Sequence, residues 1–445
     1  MQIRPAAPHW SLIAHIDASS PDLEPDETRE VDVMEASPRQ GVDVTVQLRR
    51  VVVSPEEHRG DSLRHGTLAG LAGVTALGAA AASVCALPLL VGLPLAGLAL
   101  GVGWALGKNQ AQDALMSWAM ATTPPVHQEP AWQGTRTFRL GEDREPGRID
   151  APVVHQSPDT DTPSPRALGE FFGREMKRFP SSRHAVMLSG HGMAWNNVIG
   201  LGLDEVGEAL DHAKNVAGKR PDLLILESCL MGNLEALNLL GGTAGYAVVS
   251  EETMGSEGLP WERILGAASG MARTPQALGK AMVRLSPDGA GQVETLGLVD
   301  LDRVPRVASA VEELAGILKD LAPSQRRELR AAFAAAESLP RGGAPGVPDG
   351  FLVDLGSLLE NLEERLPQPE VHQAADRVRA ELKKALVAHG TSADYEYVAT
   401  GLTIQGNARG LDTREYAEAT GMTGWAGLLH ELKPWPGRWF THAPS

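Results

Sequence analysis

Two strand-like runs in this chain each end in a reactive side chain. Leu223-Leu224-Ile225-Leu226 leads through Glu227-Ser228 to Cys229, and Leu230-Met231-Gly232 follow. Upstream, Ala185-Val186-Met187-Leu188 leads through Ser189-Gly190 to His191-Gly192. A thiolate attacks carbonyl carbon readily, and an imidazole can take the thiol proton and hand it to a leaving group. Open α/β sheets collect their reactive groups at the carboxyl ends of their strands. A Cys and a His delivered there read as nucleophile and base. Leu230, Leu234 and Leu237 recur at helical spacing. They predict a helix starting just after Cys229, whose dipole would favour the thiolate. Gly190 and Gly192 leave His191 without flanking side chains, so a substrate backbone can come close. The backbone N–H groups of Gly192 and Cys229 are candidate oxyanion donors. A buried Cys alone is usually inert packing; the pairing at matched strand ends is what points to catalysis. A metal centre has less support, because two ligands fall short of the usual three or four and neither C-x-x-C nor H-E-x-x-H occurs.

The surrounding pattern supplies elements to hold these residues. Trp10–Ile16 and the alternating Val42, Val44, Val46 and Leu48 predict two strands before the reactive pair. Trp132–Leu140 predicts a third, and the Pro/Asp-rich residues 141–165 a loop. Leu168–Phe179 predicts a helix entering the His191 strand, and Tyr246–Val249 a strand after the Cys229 unit. Val307–Leu321, Ser324–Ser338, Leu352–Leu366 and Val371–Ala388 carry apolar residues at helical spacing. Leu402–Ile404 reads as a late strand and Thr423–Leu432 as a closing helix. Strands alternating with helices up to about residue 265 predict an α/β domain.

The 445 residues are enough for a large core or several domains. The net charge is −16, and no Lys/Arg cluster stands out, so nucleic-acid binding is not expected. The two cysteines, Cys85 and Cys229, are expected as free thiols in a reducing compartment. Met1–Pro5 opens into no apolar run, so no secretory signal is expected and the catalytic body is expected in the cytoplasm.

These residues resemble the clostripain-like cysteine peptidases, a caspase-like clan. The resemblance runs through His191-Gly192-Met193-Ala194-Trp195, then Glu227-Ser228-Cys229-Leu230-Met231-Gly232 with Glu235. It continues through Tyr246, Ser250-Glu251-Glu252 and Glu257-Gly258-Leu259-Pro260-Trp261. Trp10–Asp17, Val42–Arg50, Thr295–Asp300, Gly401–Ile404 and Trp425–Leu429 follow the family's order of strands and closing helix. The resemblance implies an α/β fold with a caspase-like, mostly parallel sheet flanked by helices. Residues 1–52 would supply the first strands, 131–300 the rest of the catalytic domain, and 301–445 a mainly helical region completing it. It implies an endopeptidase cutting after Arg or Lys, with Cys229 as nucleophile, His191 as its partner, and Gly192 and Cys229 holding the oxyanion. The protein or peptide substrate would present its basic P1 side chain to Glu227 and Glu257, which stand where the family has Asp. Self-cleavage between His and Cys has Lys214, Lys219 and Arg220 as candidates. Calcium dependence is a family trait, but no EF-hand-type loop is visible. Two rival expectations are a non-catalytic membrane-associated scaffold with the same fold, and a regulated protease processing a partner in bacterial defence or cell death.

Residues 53–130 depart from the resemblance. Within them, His65–Gly107 carries no Asp, Glu, Lys or Arg, while Arg59, Arg64 and Lys108 flank it. Its length suits two membrane helices of about 20 residues each, and Pro88, Gly92 and Pro94 mark a hairpin near the middle. Strands of one sheet lie on both sides of the insertion, so the number of crossings must be even. Basic flanks would place both ends at the cytoplasmic face. A soluble apolar hairpin, with small residues such as Gly66/Gly70 and Gly97/Gly101 allowing close helix contact, is the alternative.

Overall fold

The structure, a computed structural model, describes residues 9–20, 23–51, 132–143, 145, 147–180, 182–287, 293–340, 350–409 and 411–433. The chain divides into two units, residues 1–50 with 133–445, and residues 51–132. The apolar segment 65–107 and Cys85 lie outside the described residues. No helix among the described residues is long and apolar enough to cross a membrane.

The strands are β1 (Trp10–Ala18), β2 (Val42–Arg50), β3 (Gly134–Arg139), β4 (Val153–Ser157), β5 (Arg183–Ser189), β6 (Gly192–Met193), β7 (Asn197–Val198), β8 (Leu223–Glu227), β9 (Tyr246–Val249), β10 (Thr295–Asp300), β11 (Ser338–Leu339), β12 (Leu352–Asp354), β13 (Leu386–Thr391) and β14 (Thr403–Gln405). The helices are α1 (Glu24–Ala36), α2 (Pro165–Arg178), α3 (Leu203–Ala217), α4 (Leu234–Leu239), α5 (Trp261–Ser269), α6 (Pro275–Leu285), α7 (Val304–Lys319), α8 (Arg326–Ala335), α9 (Leu355–Arg365), α10 (Pro369–Ala385), α11 (Thr413–Thr420) and α12 (Thr423–Leu432).

Nine of the strands form one sheet in the order β13-β10-β9-β8-β5-β1-β2-β3-β4. Its centre, β9-β8-β5-β1-β2, is parallel, and antiparallel pairs extend both edges. Parallel strands require helices on both faces and read as continuous apolar runs, which the buried β1, β5 and β8 sequences are. Val186, Leu188, Leu224 and Leu226 join the core formed with α2, α3, α7 and the C-terminal helices. The alternate residues face the other side, where α1 packs on β1 and α5, and α6 packs on β9, β10 and β13. Local signals set the helix ends: Ser164 caps α2 by accepting from Ala167 N, with Pro165 behind it, and Gly218 ends α3 at φ +79°.

The α/β architecture, a largely parallel central sheet flanked by helices, is therefore as the sequence predicts, with local differences. Residues 153–157, expected as loop, form edge strand β4, whose residues are nearly all exposed and so lack an apolar pattern. The apolar run after residue 371 leaves its helix at Ala385 and continues as β13, antiparallel to β10. Leu352–Asp354 is strand β12, and the Asp354 carboxylate caps the following helix by accepting from Ser357 N at 2.7 Å. In the last two cases the apolar spacing continues across the strand–helix boundary, which is fixed by pairing with distant strands.

The strands flanking the insertion are neighbours: β2 and β3 pair antiparallel, with Arg50 opposite Gly134. The chain thus leaves the sheet at Arg50 and is back in it at Gly134, on directly paired strands. Loop length enters closure entropy only logarithmically. A chain with 53–130 replaced by a short Asn/Gly turn is expected to keep the remaining unit folded, with stability changed by no more than about 3 kcal/mol. Urea denaturation checks this, and a molten or insoluble product would show that the insertion carries part of the core.

Candidate active site

β5 and β8 run parallel in register, with Ser189 opposite Glu227. His191 and Cys229 each follow two residues later, so both leave the same edge from adjoining strands about 4.8 Å apart. Their turns touch. Gly190 N donates to Glu227 O at 3.3 Å, and a Cβ on Gly192 would sit 2.8 Å from both Cys229 O and Ser228 Cβ. Only a glycine allows that approach. After His191 the chain folds back at once as the β6–β7 ribbon, and Ile199 N donates to His191 O at 2.8 Å. The His191 side chain is exposed at this edge, and Cys229 is half-buried.

The helix expected directly after Cys229 starts later. Leu230 has φ +63°, and α4 begins at Leu234 behind the Asn233 cap. The intervening backbone is engaged in tertiary bonds. Leu230 N donates to Glu252 O at 3.0 Å, Gly232 N to Ser250 O at 2.6 Å, and Thr403 N to Gly232 O at 2.8 Å. These bonds replace the i→i−4 bonds that a helix would need, so no dipole ends at the sulfur. The thiol instead lies against the chain at Met254, whose N–H donates to Sγ at 3.4 Å and whose carbonyl accepts from it at 3.8 Å. Burial pushes the Cys229 thiol above its ordinary range, the Met254 N–H opposes that shift, and the Glu252 charge adds to it. This arrangement disfavours the thiolate.

A buried polar brace stands behind both turns. Glu235, wholly buried, accepts from Tyr416 Oη at 2.7 Å, Gln405 N at 2.8 Å and Asn233 Nδ2 at 2.7 Å. Trp195, four residues after His191, donates through Nε1 to Gln405 Oε1 at 2.9 Å and packs edge-on against Tyr416. Gln405 O accepts from Trp425 Nε1 at 2.8 Å. The His191 turn, the Cys229 turn, β14 and α12 are thereby tied through Glu235 and Gln405. The sequence marks Glu235 and Trp195 but gives no sign of Gln405 and Tyr416, whose roles depend on folding.

The two expected pocket acids sit differently. Glu227 is 5% exposed. Its carboxylate accepts from Leu259 N and from Trp261 Nε1, the latter at 3.1 Å. Burial lifts it to about 7 against those two donors. Glu257 is exposed and lies 3.5 Å from Arg29. The self-cleavage candidates are not brought to the sulfur. Lys214 lies in the last turn of α3, Lys219 Nζ donates to Ser182 O at 2.6 Å, and Arg220 holds Asp302 with two bonds of 2.7 Å. All three precede β8, whose opposite end leads to Cys229, so the strand's length separates them from its sulfur. Among the described residues, no three His, Cys, Asp or Glu side chains are grouped to hold a metal ion.

The raised thiol predicts the pH dependence of alkylation. Thiolate is the reactive form, so iodoacetamide labelling of Cys229 in the free protein is expected to be slow at pH 7 and to climb above pH 9. Mass spectrometry of the Cys229 peptide across pH 6–10 reads this. Labelling that saturates below pH 7 would mean the thiol is ionised despite its burial.

The model of the clostripain family, peptidase family C11, matches residues 133–405. Comparison with curated proteins gives no match. Among solved structures the chain is similar to an inactive zymogen C11 protease from Parabacteroides distasonis. That similarity has TM-score 0.56 and 12% identity over 94% of this chain and 98% of the other. It is also similar to the secreted C11 cysteine protease "iotapain" from Bacteroides thetaiotaomicron, with TM-score 0.58 and 10% identity over 94% of this chain and 100% of that one. At such identities the structures speak for the fold, including β1 and β2, which lie before the family match. The family match itself covers most of the chain, with both strand-end motifs inside it, and the protein belongs to the clostripain family of cysteine peptidases.

Proposed function

We propose that this protein is an endopeptidase that cleaves after Arg or Lys, using Cys229 and His191. The observation that carries this reading is the Ser189–Glu227 register, which sends the two side chains from adjoining strand ends within the family match. Cys229 Sγ attacks the scissile carbonyl carbon while its proton passes to the His191 imidazole. The oxyanion forms against the N–H groups of Gly192 and Cys229. The imidazolium then protonates the leaving amine and a thioester remains. Water, deprotonated by His191, hydrolyses it and restores the thiol. The substrate must first part Sγ from the Met254 carbonyl. Glu227 forms the floor for the P1 cation. Glu257 stands at the exposed rim, one residue before Gly258, whose backbone lies against the Glu227 carboxylate.

Fluorogenic peptides differing only in P1 test the reading. Arg and Lys substrates are expected to be cut and Asp substrates left intact. Cys229→Ala is expected to lose activity by a factor on the order of 10³ or more. Intact Arg and Lys peptides beside cleavage of another class would overturn the P1 assignment, and an active Cys229→Ala variant would overturn the nucleophile.

We also propose that residues 65–107 form a membrane hairpin, leaving the catalytic body on the cytoplasmic face. The direct pairing of β2 with β3, which flank the insertion, supports an even number of crossings. The full chain is expected in the carbonate-resistant membrane fraction, and the chain lacking 53–130 in the soluble fraction. Full-length protein released by carbonate would refute insertion.

A further inference from the structure

Three carboxyl side chains are buried together at the catalytic edge, and only one of them belongs to the Cys229 motif. Helix α1, which follows β1, crosses the strand ends and buries Glu27 and Glu30, three residues apart on one face. Glu27 is 5% exposed, Glu30 6% and Glu227 5%. Glu27 accepts from Ser189 Oγ at 3.0 and 2.9 Å, at the end of the His191 strand. The Glu30 carboxyl lies within hydrogen-bonding reach of both Glu27 and Glu227. Burying three such groups within contact cannot leave all of them ionised unless a cation joins them.

Among the described residues no cation does. Arg29 lies 3.5 Å from Glu257 and 3.7 Å from Asp26, Arg49 lies 2.8 Å from Asp17, and Arg50 lies 2.5 Å from Glu24. These pairs and the buried His15 on β1 complete the charged surroundings of the three acids. Two further observations point to an absent partner. Glu30 Oε1 is buried, and no N–H or side-chain hydroxyl donor among the described residues reaches it. At Gly258 the chain presents bare backbone to Glu227 Oε1 and Glu30 Oε2; a Cβ there would collide with the first and lie 3.5 Å from the second. The acids are not disposed to ligate a metal. A flat guanidinium with five N–H donors, or an ammonium with three, complements several carboxylate oxygens at once.

We propose that Glu27 and Glu30, together with Glu227, make up the receptor for the cationic P1 side chain, and that this cation enters in exchange for a proton released to solvent. The inference rests on the basic-P1 reading above and adds to it two residues outside the Cys229 motif. In the empty protein, protons hold the cluster together. Burial, with repulsion from neighbouring carboxylates, raises Glu27 and Glu30 well above the usual carboxylate range, and burial lifts Glu227 to about 7 against its donors. A cation favours the ionised cluster, so binding strengthens as pH rises through about 7.

The test uses the full chain and benzamidine, an aromatic amidinium, titrated calorimetrically at pH 6, 7 and 8 in buffers of different ionisation enthalpy. Proton release on binding is expected at pH 6–7, with affinity rising toward pH 8. Glu30→Gln and Glu27→Gln are each expected to reduce proton release. Each should also reduce the preference for a P1 Arg peptide over its neutral isostere citrulline by roughly tenfold, the order of one charge-assisted hydrogen bond, chiefly through KM. A wild type that binds benzamidine and cuts Arg peptides without proton release overturns the inference and leaves the basic-P1 reading standing. So do folded variants with unchanged selectivity. A wild type that neither binds benzamidine nor cuts basic peptides overturns both. The wild-type proton count needs no variant, so a variant that fails to fold does not remove the test.

Discussion

The in-register parallel pairing of β5 with β8 is the constraint on which the site depends. Parallel strands in a right-handed α/β sheet carry their connections on the faces, which leaves the carboxyl edge free for short turns. With Ser189 opposite Glu227, the Gly190–Gly192 and Ser228–Cys229 turns leave side by side. A slip of one residue would turn every side chain of one strand to the other face, exchanging apolar residues between the two cores. Both cores therefore guard the register, and the register sets the relation of imidazole to sulfur.

Behind that edge the fold has traded a local helix for tertiary bonds. Residues 230–233 bond to Ser250, Glu252 and Thr403, which fixes the Cys229 turn from two other elements. Glu235 adds a third tie through Tyr416 and Gln405. A fully buried carboxylate is tolerable because its hydrogen bonds are made, and removing one partner would leave unsatisfied polar groups behind it. The arrangement gives a rigid turn carrying an unactivated thiol. Closing Met254 against the sulfur and raising its proton affinity are two aspects of the same burial.

The cluster of Glu27, Glu30 and Glu227 follows a different rule. There the edge gathers like charges with no opposite charge among the described residues, while the arginines nearby are paired to other acids. These acids sit at the strand ends from which the His191 and Cys229 turns leave. β2 runs parallel to β1 and ends with Arg50 at this same edge.

Much of this was legible in the chain. Apolar runs ending in Ser-Gly-His-Gly and Glu-Ser-Cys-Leu-Met-Gly specify strand, turn and chemistry locally, because alternation and glycine are local properties. Long helices were legible for the same reason. Tertiary structure decided what depends on partners distant in sequence. It ended a helix at Ala385 to pair β13 with β10, made a strand of the exposed residues 153–157, and held Leu230 at positive φ where leucine spacing predicts helix. It buried Glu227 and left Glu257 in solvent, although both stand at equivalent-looking motif positions. It also brought Glu27 and Glu30 to the site from nearly two hundred residues upstream. Burial and pairing depend on which surfaces meet, and no local pattern of residue types encodes that meeting.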